Sequence, residues 1–255
     1  LNPYSILTSQ TFCGDNAMAL SEEVRTKVRA IFGDFLRRRI ETIQRLKLRD
    51  FNINPFLFRL LAEQMGLRDA RAIVRFLLHE RFERGAVTSA GDMFQKLAAI
   101  FCEPTGVEGA DLLKRKEGRY YYIQVKAGPN TVDKDACIKL SHDLRSAQRR
   151  HLGSITVFGM AYGTEEQISS IVRNYLDVDM MLIGEQFWEF ISDDPDCLKE
   201  LYEIAGEVGR TFRDKRGRTI AQLLQEKYEQ LVREFEETYG SGGDEMWRRL
   251  LQKGW

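Results

Sequence analysis

The chain has 255 residues, with 38 basic and 38 acidic side chains and zero formal net charge, so overall basicity gives no argument for a nucleic-acid partner; the distribution of charge has to supply it. Four cysteines, Cys13, Cys102, Cys137 and Cys197, stand far apart with no C-x-x-C pair, which argues against a zinc knuckle or a compact disulfide framework. No stretch approaches the roughly 20 apolar residues of a membrane span, and the first dozen residues lack a basic segment followed by an apolar core, so a soluble protein in a reducing, cytoplasmic setting is expected.

Between 21 and about 48, Val24, Val28, Ile31, Phe32, Phe35, Ile40, Ile43 and Leu46 recur at helical spacing, predicting one long helix or two divided near Gly33. Nine basic residues lie between positions 25 and 49 and five more between 210 and 218; each run fits either a polyanion-facing surface or a solvated helix face. Asn54-Pro55 supplies an N-cap with proline at the first helical position, and Gly66 closes that helix. A further helix spans about 68–84 and stops at Gly85. Ser89, with Asp92 three residues on, resembles a capping box opening another helix through Phe101, and Pro104 ends that region.

The pattern then changes to period two. Segments 109–115 and 119–127 alternate apolar and polar residues across the turn candidate Glu117-Gly118, predicting a hairpin. A helix follows over about 132–150, broken by Gly153, and then a β-prone run over 154–162. Thr164 with Gln167 caps a helix to about 176, 178–183 is a short apolar strand, and 185–239 is helical in pattern. Gly240-Ser241-Gly242-Gly243 reads as flexible, ahead of an amphipathic turn over 247–251. Phe187, Trp188 and Phe190 are expected to pack in the core. The element order implies an α/β fold: a mixed β-sheet core flanked by helices, with helical N- and C-terminal additions.

A two-residue turn at Glu117-Gly118 pairs Lys116 with Arg119. Continued along the strands, it sets Leu112 against Ile123, Asp111 opposite Gln124 and Ala110 against Val125, with the apolar pairs on one face. The other face carries Asp111, Gln124 and, two residues on, Lys126. A carboxylate with an amide or backbone carbonyl, here that of Val125, can seat Mg²⁺ against a phosphate. A lysine beside them can stabilise charge on that phosphate or help deprotonate an attacking water. Elsewhere, His79-Glu80 lacks the second histidine of H-E-x-x-H, and neither G-x-x-x-x-G-K-[ST] nor G-x-G-x-x-G occurs, so no nucleotide cofactor is expected.

The segment Gly109-Ala110-Asp111-Leu112 through Tyr122-Ile123-Gln124-Val125-Lys126-Ala127-Gly128 resembles the PD-(D/E)XK nuclease motif, in the variant with glutamine at the second acidic position. Ala110 stands where the family has proline. The order helix, hairpin, helix, strand from 89 to about 162 matches the family core. The run Gln124 to Thr131 looks most like a stand-alone type II restriction endonuclease. The resemblance implies a restriction-endonuclease-like fold, with a helical N-terminal region over 1–88, a nuclease core over 89–183 and a helical C-terminal region over 184–255 packed on that core.

It further implies Mg²⁺-dependent hydrolysis of phosphodiester bonds in double-stranded DNA at a short specific sequence, with Mn²⁺ substituting, by a homodimer in a prokaryotic cytoplasm. A repair or modification-dependent, Mrr-like nuclease and a non-catalytic DNA-binding module are the alternatives. Asp111, Gln124 and Lys126 would be catalytic, and Asp111, Gln124 and the Val125 carbonyl would hold the metal. In this family the helix before the motif often adds an acid; the candidates are Gln95 or Glu83, and then Asp92 and Glu108. Each of these also fits a solvated position. DNA contacts are expected from Asn130, Thr131 and Lys134 after the catalytic strand. Arg145 and Arg149, with His142, Gln148, Arg150 and His151 around them on the next helix, are further candidates.

Overall fold

A computed structural model of the chain describes residues 20–129 and 132–253; Cys13, Asn130 and Thr131 lie outside them. In chain order the elements are α1 (Glu22–Arg45), α2 (Pro55–Met65), α3 (Ala70–Ala98), β1 (Glu103–Pro104), β2 (Leu112–Lys116), β3 (Arg119–Lys126) and α4 (Lys134–Arg150). They continue with β4 (Ile155–Met160), α5 (Ser170–Tyr175), β5 (Met180–Ile183), α6 (Glu185–Ser192), α7 (Cys197–Thr211), α8 (Ile220–Tyr239) and α9 (Gly243–Lys253). The strands form one mixed sheet in the order β1-β2-β3-β4-β5. The first two pairings are antiparallel and the last two parallel.

Local chemistry explains many of the boundaries. Asn54 accepts a hydrogen bond from the Leu57 amide at 3.0 Å and Gly66 adopts the left-handed conformation that ends α2, as the Asn-Pro and glycine signals predict. Glu117 (φ 50°) and Gly118 (φ 73°) make the β2–β3 turn with both residues left-handed, the form whose twist matches a hairpin. Thr164 and Gln167 do form a reciprocal cap, but on a short 3₁₀ turn, Glu165–Gln167; a fresh cap at Ser169 then starts α5.

Of the two forms expected for the first helical stretch the structure has the single long helix, and the break expected at Gly85–Ser89 is absent. α1 runs through Gly33, and α3 is one 29-residue helix through Gly85, Ser89 and Gly91. The Ser89 hydroxyl donates back to the Gly85 carbonyl at 2.9 Å, and Asp92 pairs with Lys96 at 2.7 Å. Those side chains satisfy mid-helix partners and cap nothing. The boundary expected at 88/89 therefore falls inside a helix.

The hydrophobic interior is divided accordingly. One core joins α2, the first half of α3, α8 and α9 around Ile73, Leu77, Leu231 and Phe235. A second lies between the sheet and α1, the end of α3, α6 and α7, around Ile123, Val157, Phe187 and Trp188. The C-terminal region is thus split: α6 and α7 pack on the sheet, while α8 and α9 pack on α2 and α3. The Gly-rich segment before α9 is tied down, Ala70 donating its amide to the Ser241 carbonyl at 2.9 Å beside an Asp69–Gly242 bridge. Phe187 and Trp188 are fully buried, as expected, and the Trp188 indole donates to the Ala161 carbonyl at 2.8 Å.

Both faces of the sheet are covered. Tyr121, Ile123 and Val125 face the second core, while Tyr122, Phe158 and Met160 lie under α4 and α5. The face carrying Gln124 is therefore not a solvent face, and Gln124 itself is buried.

Candidate active site

The hairpin register is the predicted one from Lys116↔Arg119 to Leu112↔Ile123, and there it stops. The Asp111 amide donates to the Ile123 carbonyl at 2.9 Å, not to Gln124. The chain ahead of it turns away through Gly109 at φ 96°. Only glycine fits at that turn, because a Cβ would lie 2.6 Å from Asp143 of α4. Ala110 consequently packs beside Leu113, Tyr122 and Leu144, on the α4 side, and does not pair with Val125.

The departure of the strand leaves the Val125 N–H without a ladder partner, and a side chain takes the place of backbone. Asp111 Oδ2 accepts from the Val125 amide at 2.9 Å and from Gln124 Nε2 at 2.6 Å. Gln95, near the end of α3, comes close enough to the carboxylate to favour its charged form, as does Lys126. Asp111, Gln124, Lys126 and Gln95 are therefore brought together where the β2–β3 pairing ends. Burial pushes the Asp111 carboxyl above its ordinary value, against the opposing pull of Val125, Lys126, Gln95 and Gln124. Desolvation of the charged form is the largest effect on it.

Lys126 ends β3, beside Met160 of β4. The β3–β4 ladder continues past it, with Ala161 donating to the Lys126 carbonyl at 2.9 Å and Tyr162 to the Ala127 carbonyl at 3.1 Å. Gly128 lies against the Tyr162 ring, where a Cβ would come within 2.6 Å, and that ring packs on Phe94 of α3. Tyr162, which the sequence pattern does not single out, thus braces both the residues after Lys126 and the helix carrying Gln95.

Other candidates lie elsewhere. Glu83 is on an exposed part of α3 that borders a cleft with Arg75, His79 and Tyr228, twelve residues or about 18 Å of helix from Gln95. Asp92 is held by Lys96 and Arg38, and Glu108 is exposed. The Val125 group that meets Asp111 is its amide. Lys134 starts α4 with its ammonium 4.5 Å from the Tyr175 ring centre.

Arg145 does not stand free for DNA. It binds Asp177 and Asp179, each at 2.6 Å, and Gln148 bridges Asp179 to the Ser154 carbonyl at 2.7 and 2.8 Å. Two carboxylates hold its pKa above the ordinary arginine value. This network ties α4 to the start of β5, which is a structural role. Arg149 remains exposed near the end of α4, bonded to the Ser146 hydroxyl at 3.0 Å.

Among the described residues no group of three His, Cys, Asp or Glu is placed to hold a metal. The donors around Asp111 are one carboxylate and two amides that can turn their oxygens inward. That all-oxygen set fits a hard divalent cation that keeps part of its water, and not a metal that seeks thiolate or imidazole.

No helix among the described residues is long and apolar enough to cross a membrane. No curated protein matches the chain. The family model described as type II restriction endonuclease EcoO109I matches residues 22–212, from the start of α1 to just past α7, and so includes the sheet and every residue gathered at Asp111. The chain belongs to the EcoO109I family of type II restriction endonucleases.

Proposed function

We propose that the protein is a Mg²⁺-dependent, site-specific endodeoxyribonuclease that hydrolyses phosphodiester bonds in double-stranded DNA. The observation that carries this reading is the meeting of Asp111, Gln124, Lys126 and Gln95 at the end of the hairpin, in a chain of this family. Family members generally use divalent metal ions. Here Asp111 would hold the ion, with Gln124 and Gln95 once their amide oxygens face it and the Val125 carbonyl as a backbone candidate. A bound Mg²⁺ supplies Lewis-acid activation of the phosphate and lowers the pKa of its water.

The chain's own groups divide the rest of the work. Asp111 brings the charge that a cation needs, and its bonds to the Val125 amide and Gln124 fix its orientation before any ligand arrives. Lys126, two residues beyond Gln124 on the same strand, keeps an ammonium beside the carboxylate. There it opposes the negative charge that builds on the phosphate oxygens as water attacks. Mn²⁺ accepts the same donors and is expected to substitute. A two-fold homodimer would present one such site to each strand of a palindromic sequence.

Digestion of unmodified plasmid tests the reading. Discrete fragments are expected with Mg²⁺ and none with a chelator. Lys126→Ala is expected to slow cleavage by about 10²–10⁴-fold while circular dichroism stays unchanged. Cutting by Lys126→Ala at the wild-type rate would remove the site assignment. Nicking alone, or cutting confined to methylated DNA, would replace the type II reading with a repair or modification-dependent one.

A further inference from the structure

Most cations of the N-terminal basic run are neutralised within the fold. Arg25 pairs with Glu200, Lys27 with Glu23, Arg29 with Glu22, and Arg45 with Glu41. Arg37 and Arg38 share Asp34. Arg39, like Lys47 and Arg49 of the same run, makes no ion pair among the described residues. Unlike those two it is half-buried, and its Nε, like that of Arg29, has no hydrogen-bond partner among them. Its guanidinium lies 5.8 Å from the centre of the Phe35 ring. Burial and the neighbouring Arg38 both push its pKa down, so the surroundings work against its charge.

The fold nevertheless makes room for it. Gly85 of α3 faces Arg39, and a Cβ there would stand 3.0 Å from Nη1. Glycine in the middle of a helix costs about 1 kcal/mol relative to alanine, and what it provides here is space for the guanidinium. Arg39 borders a groove of about 580 Å³ between α1 and α3, together with Arg37, Arg38, Ser89, Asp92 and Lys96. Cations outnumber acids on its walls.

The groove also has a position relative to the cut. Lys96 directly follows Gln95, the residue of α3 that reaches Asp111. Ser89 and Gly85 lie six and ten residues before Gln95, which is about 9 and 15 Å along the helix axis. The groove, which runs along α3 from Ser89 to Lys96, therefore lies beside the metal-site residue, where the DNA backbone flanking the scissile phosphate would pass.

We propose that Arg39, seated in the α1–α3 groove, binds a backbone phosphate of the DNA that flanks the scissile one. The assignment rests on the nuclease reading above. A cation with no ion pair among the described residues, and paired by phosphate in the complex, fits the absence of a counter-ion among them, Gly85 and the excess of positive charge in the groove.

The test is the salt dependence of metal-free duplex binding, read by fluorescence anisotropy, beside thermal unfolding of the free protein. Arg39→Gln is expected to reduce the slope of log affinity against log salt by about 0.9. It should weaken binding to cleavable and unrelated duplexes by the same factor and raise Tm, because an uncompensated charge has been removed. Arg39→Lys should keep the slope, as should Arg45→Gln, which alters an exposed, paired arginine of the same helix. Arg39→Met gives the same readout if the glutamine variant does not fold. A wild-type slope in Arg39→Gln or Arg39→Met overturns the proposal, and a lowered Tm with that slope makes Arg39 structural. Failure of the wild-type protein to bind duplex DNA at low salt would instead overturn the nuclease reading itself.

Discussion

Gln124 turns its amide nitrogen toward Asp111: Nε2 donates to Oδ2 at 2.6 Å, on the same oxygen that receives the Val125 amide. An amide can do this and a carboxylate cannot. In the metal-free protein the glutamine therefore relieves a buried acid that a glutamate would repel.

Gln124→Glu should reverse that balance. Losing a hydrogen bond to a charged group and adding a like charge is expected to cost about 1–3 kcal/mol of stability without metal. With a second anionic ligand in place, Mg²⁺ should restore stability, and half-maximal cleavage should require less of it. Thermal melts with and without Mg²⁺, and a Mg²⁺ titration of plasmid cleavage, read both effects. No drop in Tm in the absence of metal would count against the Nε2–Oδ2 bond.

Asp111→Asn should abolish cleavage and yet stabilise the metal-free protein at neutral pH. Burial raises the folded-state pKa of Asp111, so ionisation favours the unfolded chain, and stability is lost as pH rises through that raised value. Asparagine stays neutral and escapes the loss. The Tm advantage over wild type should be largest at neutral pH and shrink as pH falls toward the ordinary carboxyl value of about 3.9. An advantage independent of pH would mean that the burial of the charge is not its source.

Arg145→Ala is expected to damage the fold and not the recognition of DNA. It removes the arginine that joins Asp177 and Asp179 to α4. The pairs are partly exposed, so a loss of about 1–2 kcal/mol is expected. Urea denaturation measures the loss, and the salt slope of DNA binding should be unaltered. A shallower slope with unchanged stability would restore Arg145 as a phosphate contact.

Gly159→Ala tests how closely β4 meets α6. A Cβ at Gly159 would lie 2.3 Å from a ring carbon of Phe187, which is fully buried beside Trp188. Forcing them apart is expected to cost about 1–3 kcal/mol, seen as a lower denaturation midpoint. Phe187→Leu, which shortens the opposing side chain, should recover part of that loss in the double variant. Additive losses would show that the two residues do not meet.

The hairpin was legible because its register follows from one turn and from alternation along the strands. Those are local properties, and they hold from Lys116↔Arg119 to Leu112↔Ile123. They fail at Asp111, where close packing of Gly109 on α4 peels the strand away. No spacing rule contains that contact. The meeting of Asp111 with Gln124 survives because a side chain replaces the lost backbone partner. Gly85, Ser89 and Gly91 look like punctuation in isolation, yet α3 runs through all three. Its two ends are buried in different cores, and that tertiary gain outweighs weak local propensity. The pairing of Arg145 was hidden for the reverse reason. Its acids, Asp177 and Asp179, lie over thirty positions away in sequence.

A 29-residue α3 is about 44 Å long. Ile73 and Leu77 anchor it among α8 and α9, and Leu97 and Ala98 anchor it under the sheet, with Gln95 at Asp111. It is a lever arm. A swing of about 5° at the far end displaces the near end by about 4 Å over that length, more than the reach of a hydrogen bond. A change that tilts the remote end of α3 among α8 and α9 would thus be felt at the amide beside Asp111, although it touches none of the residues gathered there.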